Sequence, residues 1–315
     1  MICSIIIRSY NEERHIGRLI DGILTQELND SIEIEIILVD SGSTDSTVSI
    51  AKHMGATVVS LSKEEFSFGR ALNAGCEKAR GEILLFASAH IYPIYTDWVN
   101  KMVLGFKKDD IAIVYGRQVG GNKSRFSEKQ IFLKWFPKES TFNQKTPFCN
   151  NANCAIRKEL WSKYPYDEKL TGLEDLWWAK RIMEQGYKIV YLADAVIAHI
   201  HEETPQKTLN RYRREAIAFK QIYPNEHFGF LDFFRLTVFN IISDLFYATK
   251  ERLLIKQSLG IIIFRVMQFY GTFQGHKQKG EVSKELRNRF YYPHRSVKNK
   301  KAEELNTESK KIIYR

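Results

Sequence analysis

The chain has 315 residues, 44% of them hydrophobic, and 47 Lys and Arg against 37 Asp and Glu for a formal net charge of +10. That length and apolar content exclude a disordered chain and leave room for a catalytic domain with an appendage. The charge is uneven: residues 277–315 hold 12 Lys and Arg against 5 Asp and Glu, a surplus of 7, so no nucleic-acid-binding face is expected on the rest. Cys3, Cys76, Cys149 and Cys154 lack Cys-x-x-Cys spacing and read as reduced thiols of a cytoplasmic protein. Met1-Ile2-Cys3 has no charged n-region, so no signal peptide is expected.

The first element is the apolar run Ile2 to Ile7, which reads as a strand buried on both faces and leads into Arg8-Ser9-Tyr10-Asn11-Glu12-Glu13. Ile16, Leu19, Ile20, Ile23 and Leu24 then recur at helical spacing. A second strand, Ile34 to Asp40, runs into Ser41-Gly42-Ser43-Thr44-Asp45-Ser46-Thr47, a turn and a helix start with Ser or Thr as the expected cap. Thr57 to Ser60 is a third strand. Glu82 to Phe86 is a fourth, leading through Ala87-Ser88-Ala89 to His90. Strands alternating with helices imply a mostly parallel α/β sheet, and such sheets bind ligands at the carboxyl ends of their strands.

Pro147 to Arg157 carries Asn150, Asn151 and Asn153 among small residues, either a polar floor for a hydroxyl-bearing ligand or an edge strand with turn-forming asparagines. Gly172 breaks the chain before Glu174-Asp175, after which Leu176, Ala179, Ile182 and Met183 recur at helical spacing. Trp177 and Trp178 either stack on the face of a ligand or belong to the core. Asp194 to His201 alternates like a strand and ends with His199 and His201 on one face.

Composition changes near residue 205, where Thr204-Pro205 begins a helix bearing Arg211, Arg213, Arg214 and Lys220. The apolar stretches Phe228–Tyr247 and Leu259–Tyr270 are interrupted by Asp232, Arg235, Asp244 and Arg265 and are too broken to span a bilayer. They read as amphipathic helices lying on the cytoplasmic membrane face or packing in a homodimer. The basic tail is either drawn to anionic headgroups or simply solvated. The expected divisions are a domain at 1–205 (halves 1–115 and 116–205), a helical region at 206–295 and a basic tail at 296–315.

Ile6-Ile7-Arg8-Ser9-Tyr10-Asn11-Glu12-Glu13, Val39-Asp40-Ser41-Gly42-Ser43-Thr44-Asp45 and Phe68-Gly69-Arg70-Ala71-Leu72-Asn73-Ala74-Gly75 resemble the nucleotide-sugar half of the family 2 inverting glycosyltransferases. Gly172-Leu173-Glu174-Asp175-Leu176-Trp177-Trp178 resembles that family's acceptor-side signature. The likeness covers roughly residues 1–205, in the family's order and spacing. It implies the GT-A fold for a catalytic domain at 1–205, with 1–115 as nucleotide-binding half and 116–205 as acceptor half, a nucleotide-sugar donor and a glycan or lipid-linked acceptor. Asp40 offers an acceptor to the N–H of a uracil- or thymine-type base, walled by Ser9, Tyr10, Asn11 and Ser41, with Ser88 and Ala89 beside it. The resemblance puts Glu12 on the ribose, Arg70 and Asn73 over the nucleotide, Asn150, Asn151, Asn153 and Trp177 near the sugars, and the catalytic base on Asp175 with Glu174 as its neighbour.

One departure stands out. Where most members carry Asp-x-Asp for a divalent ion on the diphosphate, this chain has Ser88-Ala89-His90. Mg²⁺ or Mn²⁺ loses its preferred oxygen ligands there. Three readings stay open: His90 holds an ion together with His199 or His201, or it meets the diphosphate directly and the enzyme is metal-independent, or it is a satisfied structural histidine. The lost acids also fit a relative that binds nucleotide sugars without catalysis, which the retained Glu174-Asp175 pair opposes.

Overall fold

Ile2–Ser9 forms β1, and its residues Cys3 and Ile5 to Ile7 are completely buried, as an uninterrupted apolar run requires in a central strand. The computed structural model describes residues 1–121, 124–280, 282, 283, 286, 290 and 291. Residues 1–278 make one compact unit and 279–315 another. The expected basic tail, 296–315, lies outside the described residues.

In chain order, β1 is followed by α1 (Ile16–Leu24), β2 (Glu33–Asp40), α2 (Thr47–His53), β3 (Thr57–Ser60), α3 (Phe68–Lys78) and β4 (Ile83–Ser88). A short β5 (Ile91–Pro93), α4 (Trp98–Leu104), β6 (Ile111–Gly120), α5 (Phe126–Trp135), β7 (Asn153–Arg157), α6 (Lys158–Lys163), α7 (Glu174–Glu184) and β8 (Lys188–His199) complete the sheet region. Then come α8 (Pro205–Ile222), α9 (Phe230–Lys250) and α10 (Leu254–Lys277).

The eight strands form one sheet in the order β3-β2-β1-β4-β7-β6-β8-β5. β3, β2, β1 and β4 run parallel, as do β6 and β8, whereas β7 lies antiparallel between β4 and β6. It is the GT-A arrangement expected from the motifs. The asparagine-rich segment is thus no edge strand: β7 sits mid-sheet, with Cys154, Ala155 and Ile156 fully buried. The stretch 117–147 contains the end of β6 and all of α5. The start of α2 also differs: Asp45 accepts the Thr47 N–H at 3.0 Å, so an aspartate does what Ser or Thr was expected to do.

Thr204 caps α8 by accepting the Lys207 N–H at 3.3 Å. α10 lies directly on α8, and Gly271 and Gly275 permit the approach: a Cβ at either position would meet the Leu209 or Arg213 carbonyl oxygen at 2.4 or 2.5 Å. Arg265 ties α10 to α9 by a buried two-pronged ion pair with Asp244, at 2.7 and 2.9 Å, and reaches the Ser127 carbonyl of α5. The outer faces of α9 and α10 remain apolar and exposed, with Leu231, Phe239 and Ile242 among them and Ile255 97% exposed. Among the described residues, no helix is long and apolar enough to cross a membrane.

Candidate active site

Parallel strands end their hydrogen-bonding on the same side, so β1, β2 and β4 deliver Ser9, Asp40 and Ser88 to one rim of the sheet. The two loops that leave β1 and β2 are stitched together. Asp40 accepts from the Gly42 and Ser43 amides at 3.0 and 2.9 Å and from the Ser43 and Ser9 hydroxyls. Ser41 donates its hydroxyl to the Ser9 carbonyl, and Asn11, in left-handed conformation at φ 53°, accepts the Thr44 N–H at 2.8 Å. Asp40 therefore spends about its full acceptor capacity on its own turn and on Ser9 of β1, and a base that reached it would displace a serine hydroxyl. Tyr10 lies under Lys63, whose Nζ is 5.0 Å from the ring centre.

Several residues expected at the nucleotide turn out to hold the frame. Asn73 is buried: it donates to the Tyr166 carbonyl and Glu168, and accepts from the Trp161 indole and the Tyr166 amide. Ala89 is in the core, so only its main chain can meet a ligand. Glu12 turns toward His90, whose Nδ1 is 2.9 Å from Glu12 Oε1. Arg70 is the exposed member of the set and pairs with Glu65 at 3.3 Å.

The other wall is built by β7, α7 and the end of β8. Asp175, in the first turn of α7, accepts the Asn151 amide at 3.1 Å and its neighbour Leu176's amide at 2.8 Å. Burial, and the adjacent Glu174 charge, push its pKa from an ordinary value up to about 7, against the pull of those two amides and Arg8. Arg8, at the end of β1, holds Glu174 at 3.0 Å and rests on the Phe68 ring. Asn151 is buried, and neither side-chain atom has a partner. Such orphaned polar atoms are uncommon enough to require a cause. Asn153, two residues on, is the opposite: it donates to the Arg117 and Ala195 carbonyls and accepts from the Trp98 indole, which takes it off any sugar-facing surface. Asn150 accepts from Gln118 and the Ala152 amide. Trp178 is core, while Trp177 is half-buried beside Arg181.

His90, His199 and His201 converge. One ring nitrogen of each lies within 4.8 Å of one from the other two, and the ring centres of His199 and His201 are 4.1 Å apart. Burial, with His201, His90 and Arg211 nearby, holds His199 neutral by pushing its pKa well below normal. Sequence reading found these three histidines and missed what surrounds them: Gln118 against His199, Glu128 against His201, and His15, whose ring is 6.4 Å from His90. Gln118 sits in an apolar strand and Glu128 in the first turn of a helix, and neither position signals a partner in sequence.

The family model described as "Glycosyl transferase family 2" matches residues 4–164, about half of the chain. The chain belongs to this family. It is a glycosyltransferase that draws its sugar from a nucleotide-sugar donor. Its sequence is 26% identical, over 225 residues, to an O-antigen chain rhamnosyltransferase of Salmonella typhimurium, covering 67% of this chain and 70% of that one. A second such rhamnosyltransferase, from Salmonella anatum, is 25% identical over 56% of this chain and 60% of its own length, so this chain spans less than two thirds of that relative. The fold matches a mannosyltransferase of Pyrobaculum calidifontis in complex with GDP-Man and Mn²⁺, with TM-score 0.56 and 18% identity over 87% of this chain and 84% of that one. It also matches a glucosyl-3-phosphoglycerate synthase of Mycobacterium tuberculosis in complex with Mn²⁺ and UDP, with TM-score 0.53 and 22% identity over 72% and 81%.

Proposed function

We propose that this glycosyltransferase inverts: a hydroxyl of a growing glycan or lipid-linked acceptor attacks the anomeric carbon from the face opposite a departing UDP or dTDP, in assembly of a cell-envelope polysaccharide. The new C–O bond forms as the anomeric C–O bond to the diphosphate breaks, and the electron pair leaves with the diphosphate. Asp175 takes the hydroxyl proton. The observation that carries this reading is Asp175 itself, buried and pushed up to about 7, where a carboxylate is a stronger base than usual and still ionised in good part near neutrality. The partnerless amide of Asn151 beside it is a ready contact for a sugar hydroxyl. Arg8 and Glu174 position the base, and His90 faces the diphosphate. The names of the two Salmonella relatives support a polysaccharide product.

Asp175→Asn tests this directly. Loss of a general base costs at least about 100-fold in turnover, whereas donor binding by calorimetry should stay near wild type because the base acts on the acceptor. Turnover above about a tenth of wild type would refute the role. Donor binding with no transfer in the wild type, over a panel of nucleotide sugars, would favour a binding protein without catalysis.

The acceptor reading includes a place. The exposed apolar faces of α9 and α10, interspersed with Arg235, Lys250 and Lys256, suit the interfacial region of an anionic cytoplasmic leaflet better than water. A lipid-linked acceptor would be presented there. The full-length protein should float with anionic liposomes at low salt, and Leu231→Asp with Phe239→Asp should stay behind. If wild type fails to float and sediments as a dimer, the face is an interface between two copies.

A further inference from the structure

The three histidines near the end of β8 share a feature that goes beyond their proximity. Each already donates one ring nitrogen to an acceptor. His90 Nδ1 is 2.9 Å from Glu12 Oε1, His199 Nδ1 is 2.8 Å from Gln118 Oε1, and His201 Nδ1 is 2.7 Å from Glu128 Oε1. Carboxylates only accept, so the Nδ1 atoms of His90 and His201 carry the protons. The Gln118 amide is oriented by a chain of partners. The Ala152 N–H donates to Asn150 Oδ1 at 3.0 Å, so the Gln118 group 2.9 Å from that same oxygen is its NH₂. Its oxygen therefore faces His199, and His199 Nδ1 is the donor as well. In the neutral form of each ring the lone pair is then on Nε2, and His199 Nε2 is buried without a partner.

Three imidazoles, each with Nδ1–H fixed by an acceptor behind it, form the outer-sphere arrangement of metal-ligating histidines. Glu128 also accepts from Arg211 at 3.3 Å, and Arg211 pairs with Glu203 at 2.9 Å, so the acceptor behind His201 is itself held in place by a shared guanidinium. The Ile200 N–H bonds the His90 carbonyl at 3.2 Å and fixes the turn after β4 against the end of β8. No carboxylate is in the inner set. We infer that His90, His199 and His201 hold, through their Nε2 atoms, a divalent transition ion that prefers imidazole, such as Zn²⁺, Co²⁺ or Fe²⁺, and discriminate against Mg²⁺. The donor set fits such an ion and does not fit a hard one.

The electrostatic consequence bears on the donor. Two carboxylates would cancel the charge of a divalent ion, whereas three neutral imidazoles leave it whole to face a diphosphate. This last point rests on the donor site proposed above; the metal site itself does not.

Stripping the tag-free full-length protein with a chelator and titrating Co²⁺ tests the site without any assay of transfer. One equivalent should bind and give visible d–d bands of nitrogen-ligated cobalt. Zn²⁺ should displace it, and excess Mg²⁺ should not. His90→Ala, at a partly exposed position, and His201→Ala should each abolish stoichiometric uptake, with thermal melts reporting whether they fold. Gln118→Ala removes no ligand but should weaken binding about 10- to 100-fold. Absence of uptake by the wild type with or without UDP, uptake unchanged in both histidine variants, or displacement by Mg²⁺ would each overturn the site. Calorimetry with UDP, dTDP and GDP on the same samples separates the two readings. Nucleotide binding without metal uptake removes the metal and keeps the donor site, and metal uptake without nucleotide binding does the reverse.

Discussion

The loops after β1 and β2 and the wall made by β6, β7, β8 and α7 use the same polar side chains to different ends. In the loops nearly every group is matched: Asp40 accepts four hydrogen bonds, Asn11 and Ser41 bond across to the neighbouring loop, and the rim is rigid before any ligand arrives. In the wall, partnered and orphaned groups alternate. Asn153 is fully matched and Asn151 has no side-chain partner; His199 Nδ1 is matched and His199 Nε2 has none. A buried polar atom without a partner costs free energy, so the orphaned groups of this wall are the ones on which the proposed ligand contacts rest, whereas the saturated ones hold the frame.

The asparagine pair gives the means to break that contrast. Asn153→Ala should produce the larger effect. It leaves the Trp98 indole and two main-chain carbonyls unpaired in the core, at about 3 kcal/mol or more, and the melting temperature should fall by several degrees. An unchanged melt would mean that the matched groups are not the frame. Asn151→Ala should do the opposite, keeping or raising the melting temperature while kcat/KM for transfer falls about tenfold, the worth of one substrate hydrogen bond. If it melts lower and transfers normally, the orphaned amide belongs to the frame too.

The same two asparagines show how far the sequence could be read. Strands β1 to β4 were legible because apolar runs of strand length end in turn residues, and His90, His199 and Asp175 were legible as polar residues where such elements end or begin. The insertion of β7 antiparallel between β4 and β6 was not, because its register depends on contacts with strands some 40 and 70 residues earlier in the chain. Asn151 and Asn153 are indistinguishable by type and spacing; only the sheet decides that the Asn153 side chain is pinned by Trp98 while Asn151 gives only its main-chain N–H, to Asp175. Gln118 was invisible for the same reason, since its importance lies in the tautomer it imposes on a residue 81 positions away.

The central claim is that the buried acid at the start of α7 takes the acceptor proton, and the pH dependence of kcat/KM tests it most directly. A general base must be deprotonated to act, and burial with Glu174 beside it raises the Asp175 pKa to about 7. Activity should therefore climb with pH through a limb near 7. In Glu174→Gln, which removes the like charge, the limb should move to lower pH. A rate flat from about pH 5 to 8, or a limb that does not move in Glu174→Gln, would contradict the account.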